Sequence, residues 1–464
     1  MAGGAAPAGG IKAAGPPLTK RQRIYAFALV ASLFFAWGLS YSFIDVLNKK
    51  VESFFHITKL QSTMLQVAYF GAYFVMSIPA SMFATRFGYR KGVLMGLSLY
   101  VIGALCFWPS AHFQSYPGFV VSAFVIASGL ATLETMANSY ATVLGAPEGA
   151  AFRLNMAQSF NGLATFVGPQ IASKTFFGSQ NENSLGAVQY VYLAVACFGL
   201  ALFALFCFAK LPEITEASIE EQQEAAGYHD ERPLWKRKHT IFGFFAQFCY
   251  VGAQVSTASF VMFYLTDTNL FAEDKASQMF SYMQLTFCIA RIASTALLKF
   301  FSAPIILVVY GLMCTVFSLA AALTGGKVGM GLLFLVFWGE SVIYPTTFSI
   351  ATSNLGKHTK RGSGLLCMGV AGGAFFPPLQ GLWADAQTTE RSYIINAIGF
   401  FVIVVYGACM FVYERRMKKL LADAAIFAPT AAVTATGSLD EKDAASVDKL
   451  EAVDDIQYEN VVRA

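Results

Sequence analysis

Residues 24–48 read IYAFALVASLFFAWGLSYSFIDVLN, an apolar run of hydrocarbon length that carries an acid, Asp45, near its end. A helix that crosses a bilayer needs about 20 largely apolar residues, and this run meets that requirement. Residues 118–143 repeat the situation, with Glu134 inside another long apolar stretch. A carboxyl at the centre of a membrane helix costs about 2.5–3.5 kcal/mol on insertion scales. Such a cost is tolerated where the side chain faces a water-filled path or a partner, so both acids are candidate functional groups. Asn138, Gln158 and Asn161 follow at helical spacing, and together these groups look like a solute pathway.

The whole chain agrees with that reading. Of its 464 residues 56% are hydrophobic and 13% charged, whereas soluble domains carry about 25% charged residues. The charges cluster between the apolar runs, which excludes a water-soluble fold. The net charge of +4 forms no basic stripe suited to nucleic acid. All 8 cysteines fall in apolar segments without metal-ligand spacing, so they are read as packing residues. Residues 1–20 are rich in Gly, Ala and Pro, lack an apolar core, and end in Lys20, Arg21 and Arg23. The first span is therefore expected to act as an uncleaved insertion signal.

The same length rule gives twelve spans, at 24–48, 61–83, 92–110, 118–143, 155–177, 189–208, 240–265, 278–300, 303–323, 329–353, 365–383 and 393–412. The expected fold class is thus an all-α membrane protein of two pseudo-symmetric six-helix halves. Its organisation is a disordered cytoplasmic tail (1–22), a first half (23–210), a cytoplasmic linker (211–238), a second half (239–413) and a disordered cytoplasmic tail (414–464). The linker is acidic and then basic, and could hold a short surface helix. Basic residues crowd the side of the N-terminus, which places both termini in the cytoplasm; Lys49, Lys50 and Lys59 resist, falling on the outer side. The halves echo each other: Ser139-Tyr140-Ala141-Thr142 closes the fourth span and Ser349-Ile350-Ala351-Thr352 the tenth. A parallel repeat of this kind puts the solute site between the halves near the midplane.

Trp37, Tyr41, Asp45 and Asn48 share one face of the first span. Aromatic rings beside a carboxylate suit a sugar, whose C–H faces lie on rings while its hydroxyls meet polar groups; alternatively, Asp45 pairs with Lys49 one turn on. Glu134 and Asn138 are one turn apart with no basic residue nearby in sequence. An apolar surrounding disfavours a charged carboxyl, so Glu134 could hold a proton and release it when water enters. Gln158, Asn161 and Thr165 offer amides and a hydroxyl to a hydroxyl-rich solute, or bond between helices. Gln247, Tyr250, Gln254 and Thr257 make a comparable stripe in the second half. Arg291 is either a gate or an anchor that snorkels to the interface. Glu340, one turn before Tyr344, binds solute, carries a proton or pairs with Arg291. No nucleophile–base set, phosphate loop or metal cluster suggests an enzyme, and no cofactor is expected beyond the proton as coupling ion.

Phe35-Ala36-Trp37-Gly38 with Ile44-Asp45-Val46-Leu47-Asn48-Lys49 closely resembles the first span of the fucose–galactose–glucose proton symporters, the fucose permease branch of the major facilitator superfamily. Arg86-Phe87-Gly88-Tyr89-Arg90-Lys91-Gly92 looks like the loop after that family's second span. Leu133-Glu134-Thr135 with Asn138, and Arg153-Leu154-Asn155 with Gln158-Ser159-Phe160-Asn161, resemble its fourth and fifth spans. Tyr344-Pro345-Thr346 and Gly372-Gly373-Ala374 with Pro377-Pro378 echo its second half. The resemblance implies proton coupling and sugar binding at Asp45 and Glu134, sugar contact at Gln158 and Asn161, and alternating access. Substrate contacts are extended to Trp37, Tyr41, Asn48, Asn138, Gln254, Glu340 and Tyr344, and gate or structural roles to Arg86, Arg90, Arg153 and Arg291. Two residues depart from the pattern: Thr85 stands where the generic loop motif has Asp, and Glu340 where an uncharged residue is expected. The expected protein is a monomeric plasma-membrane symporter for L-fucose or a related hexose. A sugar sensor that does not transport, a uniporter and a proton antiporter for amphipathic compounds are the alternatives.

Overall fold

A computed structural model describes residues 19–144, 150–176, 185–209, 233–353, 355 and 358–427. Twelve helical segments of crossing length follow one another among these residues: α1 (Lys20–Phe55), α2 (Met64–Phe87), α3 (Tyr89–His112), α4 (Tyr116–Val143), α5 (Ala150–Thr175), α6 (Gly186–Phe208), α7 (Lys238–Asp267), α8 (Glu273–Leu297), α9 (Ala303–Thr324), α10 (Gly326–Glu340 and Ile343–Ala351), α11 (Thr359–Met368 and Gly372–Ala386) and α12 (Ile394–Phe427). Most of the expected linker, with its surface helix, and most of both tails lie outside the described residues. By contacts the chain divides into Met1–Met410 and Phe411–Ala464, and everything below concerns the first unit.

Local chemistry sets the helix ends. Thr19 accepts the Gln22 amide and Gln22 returns a bond to the Thr19 backbone, a capping box that starts α1. Ser115 caps α4, with Pro117 in its first turn. The α1 helix runs about two turns beyond the expected span, so Lys49 and Lys50 are helical and buried rather than in a loop. Within the first six helices α3 and α4 approach closely, because a Cβ at Gly129 would lie 2.6 Å from the Gly96 carbonyl.

The first and second sets of six helices meet along two seams, α5 against α8 and α2 against α11. Ten of the twelve segments are apolar enough to cross a membrane by length and hydropathy alone; α5 and α8 are not. The reason lies in their seam. Ser277, Ser281, Cys288 and Arg291 fall on one face of α8, and their side chains donate to the backbone of α5 at Pro169 (3.0 Å), Phe166 (2.8 Å), Ser159 (3.8 Å) and Gln158 (3.0 Å). Polar faces that satisfy each other need no apolar residue there.

Helix α10 is discontinuous. Pro345 has no N–H, and its ring excludes the carbonyl four residues back, which belongs to Ser341. The helix stops at Glu340 and resumes at Ile343. The freed Ser341 carbonyl accepts from Arg291 Nε (2.6 Å), and the Glu340 carbonyl accepts from Tyr250 (2.6 Å). Side chains of neighbouring helices thereby replace the lost backbone bond, as a bilayer interior requires.

Candidate functional site

A narrow cavity lies between the two sets of helices. Trp37 and Tyr41 of α1, and Gln158, Asn161 and Thr165 of α5, line one side. Gln254 of α7, Gln284, Phe287 and Arg291 of α8, and Glu340 and Tyr344 of α10 line the other. Trp37 and Tyr41 stack at 6.3 Å, and Trp37 Nε1 donates to Tyr73 (2.7 Å), which fixes the indole plane. The aromatic and amide groups expected to meet a solute therefore share one space.

The two acids of the first six helices stand behind that wall. Asp45 is fully buried and accepts from Ser259 of α7 at 2.9 Å, while Gln66 of α2 donates to the same serine at 3.1 Å. The alternative pairing of Asp45 with Lys49 is not formed: Lys49 bonds Glu52 at 2.8 Å and lies 3.8 Å from Glu273. Glu134 of α4, 3% exposed, accepts from Tyr344 of α10 and from Asn138 (3.3 Å). Each acid thus meets a hydroxyl from the helix in the same position of the second set, α1 with α7 and α4 with α10. One oxygen of each acid, Asp45 Oδ2 and Glu134 Oε2, has no hydrogen-bond partner in the protein.

The cavity and Glu134 are connected. Arg291 Nη1 reaches Gln158 Oε1 (3.4 Å), Gln158 Nε2 donates to Asn138 Oδ1 (3.2 Å), and Asn138 Nδ2 touches both Glu134 and Tyr344 (3.2 Å to the phenol). Gln158 is thus one hydrogen bond removed from the amide that holds Glu134.

Several expected contacts fall elsewhere. Asn48 and Asn138 do not line the cavity; Asn48 is buried with neither amide atom bonded, and Asn138 sits in the Glu134 cluster. Arg291 does not snorkel: its guanidinium is 2% exposed, lies over the Phe287 ring at 4.4 Å and ties the α10 break. Among the described residues it forms no ion pair with Glu340. Arg90 donates to the Phe206 and Cys207 carbonyls, and Arg153 to those of Ala141 and Thr142, so each arginine closes the C-terminal end of a neighbouring helix. Arg86 lies 5.3 Å from the Phe87 ring. Sequence reasoning missed Ser259, Gln66, Tyr73 and Gln284. Of these, only Gln284 had a visible signal, its place on the polar face of α8.

A second layer of polar contacts joins the two sets at the end where α1, α5 and α7 finish. Lys59 pairs with Asp267 (2.6 Å), Ser53 donates to Glu273 (2.7 Å), and the Leu60 amide donates to Asp385 (3.2 Å).

Twelve helices in two sets of six around a polar central cavity define a multi-pass integral membrane carrier rather than an enzyme. The chain belongs to the Major Facilitator Superfamily, whose model matches residues 25–370. A glucose/galactose transporter of Brucella abortus (strain 2308) is 32% identical over 397 residues, covering 84% of this chain and 95% of its own. The L-fucose-proton symporter of Escherichia coli (strain K12) is 31% identical over 409 residues, 83% of this chain and 93% of its own. A crystal structure of the transporter FucP in the outward conformation superposes with a TM-score of 0.67 at 30% identity, covering 84% of this chain and 99% of that one. The proton:xylose symporter XylE, at 13% identity and a TM-score of 0.63, shares the fold.

Proposed function

We propose that this carrier takes up a neutral monosaccharide, L-fucose or a related hexose, together with a proton. The observation that carries the reading is the pairing of each buried first-set acid with a second-set hydroxyl, Asp45 with Ser259 and Glu134 with Tyr344. A carboxyl that holds its proton can keep such a bond while the site is closed and dry. One that loses its proton carries a charge that demands water or a stronger donor. Protonation is thereby tied to whether the two sets of helices are joined or apart, which is what coupling by alternating access requires. Solute at Gln158 acts on the same equilibrium through Asn138.

Polar groups set among the cavity's apolar side chains favour a sugar in this reading. The amides donate and accept without net charge, and Trp37 and Tyr41 offer ring faces to C–H bonds. The names of the relatives, glucose/galactose transporter and L-fucose-proton symporter, point to the same class. In this reading the six-helix halves rock about the cavity, both termini are cytoplasmic, the carrier is a plasma-membrane monomer, and the proton is its only coupling ion.

The test is uptake of labelled L-fucose, D-galactose and D-glucose into proteoliposomes, with and without an inward proton gradient. Wild-type protein is expected to accumulate one of them against its gradient. Glu134→Gln and Asp45→Asn are expected to abolish accumulation. Normal gradient-driven accumulation by Glu134→Gln would remove that residue from the coupling step. Equilibration indifferent to the gradient in wild-type protein would make the chain a uniporter, and binding without flux would make it a sensor.

A further inference from the structure

Three acids are buried between the two sets of helices, and they are not alike. Asp45 and Glu134 stand behind the cavity wall and each receives a hydroxyl. Glu340 stands in the wall itself. It is fully buried, with Thr257 beside it, yet neither carboxylate oxygen has a hydrogen bond of acceptable geometry within the protein. Its position is fixed by the break in α10: the residue ends the first helical piece, and its own carbonyl is held by Tyr250.

Several hydrogen-bonding groups of the wall are already committed. Gln158 is bonded at both ends, to Asn138 and Arg291, and Trp37 is bonded to Tyr73. Arg291 spends Nε on Ser341 and Nη1 on Gln158. What remains unpartnered and buried in the lining is two acceptors, Glu340 Oε1 and Oε2, and one donor, Asn161 Nδ2. A carboxyl group holds two oxygens side by side, so it bonds two hydroxyls on adjacent atoms of one ligand at once. A pyranose presents that pattern as neighbouring hydroxyls, with a further oxygen left to accept from an amide.

We infer that Glu340 is the specificity-determining residue of the cavity. It accepts two adjacent hydroxyl groups of the sugar, while Asn161 donates to another of its oxygens. The transported class is then a pyranose with an intact vicinal diol turned toward α10, and the bound sugar bridges α5 of the first set and α10 of the second. A cationic amine is a poorer match, because the Arg291 guanidinium shares the wall. This inference rests on the sugar reading above and names which part of the sugar is read.

The experiment is calorimetric binding to the full-length purified protein. The ligands are whichever of L-fucose, D-galactose and D-glucose binds most tightly, then its monodeoxy analogues and its 2-amino analogue. Leaving one oxygen of a buried carboxyl without its partner corresponds to about ten- to a hundredfold in affinity. In wild-type protein two deoxy analogues, missing hydroxyls on adjacent carbons, are expected to lose that much. Glu340→Gln is expected to bind the parent sugar as weakly as wild-type protein binds those two analogues, and to penalise them little further. Equal deoxy penalties in wild type and variant would overturn the inference, as would a set of penalised positions that contains no adjacent pair. A 2-amino analogue that binds more tightly than the parent, through Glu340, would replace the diol by an amine. The wild-type series needs no variant, so a Glu340→Gln protein that fails to fold leaves the adjacency test standing. If no hexose binds wild-type protein, the sugar reading itself has failed and the diol assignment falls with it, an outcome distinct from binding with the wrong deoxy pattern.

Discussion

Replacing Tyr344 by phenylalanine removes one hydroxyl from the centre of the bundle and leaves the ring in place. That ring is 3% exposed and stacks on Phe348 with centroids 6.4 Å apart, so its packing survives the change. What disappears is the donor to Glu134 from the opposite set of helices, and one contact of Asn138 Nδ2. A hydrogen bond between uncharged partners contributes about 0.5–1.5 kcal/mol. Because this bond joins α4 to α10, it stabilises the joined arrangement over any in which those helices part. Its loss shifts that balance roughly two- to tenfold toward the parted form. Cys367 reports the shift: its thiol is fully buried and lies 3.6 Å from Asn138 Nδ2, so a maleimide reaches it only when the bundle opens there. Cys314 is equally buried between α9 and α10 and serves as the reference for general loosening. With site-resolved alkylation read by peptide mass spectrometry, Tyr344→Phe is expected to speed Cys367 modification about two- to tenfold and to leave Cys314 unchanged. Equal Cys367 rates in the two proteins would refute the reasoning. Parallel acceleration of both cysteines would show that the substitution weakens the whole fold and not this contact.

Other substitutions separate energetic roles. Arg291→Lys leaves the Ser341 carbonyl freed by Pro345 without its planar donor, a cost of about 1–3 kcal/mol; thermal unfolding of the purified protein is expected at lower temperature, with weaker sugar binding. Gly129→Ala places a methyl 2.6 Å from the Gly96 carbonyl, an overpacking cost of about 1–3 kcal/mol that size-exclusion profiles should show as lost monodisperse protein. By contrast, Lys59→Met should matter little, because the Lys59 and Asp267 side chains are 19% and 35% exposed and such pairs contribute at most about 1 kcal/mol. Its small effect on thermal unfolding is expected to shrink further in high salt.

The architecture was legible because hydrocarbon length is written directly in a chain. Apolar runs interrupted by basic loops give twelve spans, and Asp45 and Glu134 stand out against them because a buried charge is costly. Their partners were not legible. Nothing near Asp45 in sequence points to Ser259, which is 214 residues away, and serines are common in membrane helices for many reasons. Lys49 illustrates the converse: one turn from Asp45, it was the obvious partner by spacing, yet it turns to Glu52 and Glu273. The sequence left Arg291 open between gate and anchor for a similar reason. A long cationic side chain near a helix end ordinarily reaches for water, but the carbonyl freed by Pro345 on another helix competes for it, and sequence does not show that the two meet.

The mutual polarity of α5 and α8 has a consequence for how the molecule is made. Helix α5 is synthesised well before α8, yet the hydroxyl, thiol and guanidinium groups that cover its backbone face arrive only with α8. Until then the first six helices form an unfinished module that exposes an amide-rich strip to lipid or to an insertion chaperone. Expressing the two halves as separate polypeptides is expected to give more of the first half than expressing it alone.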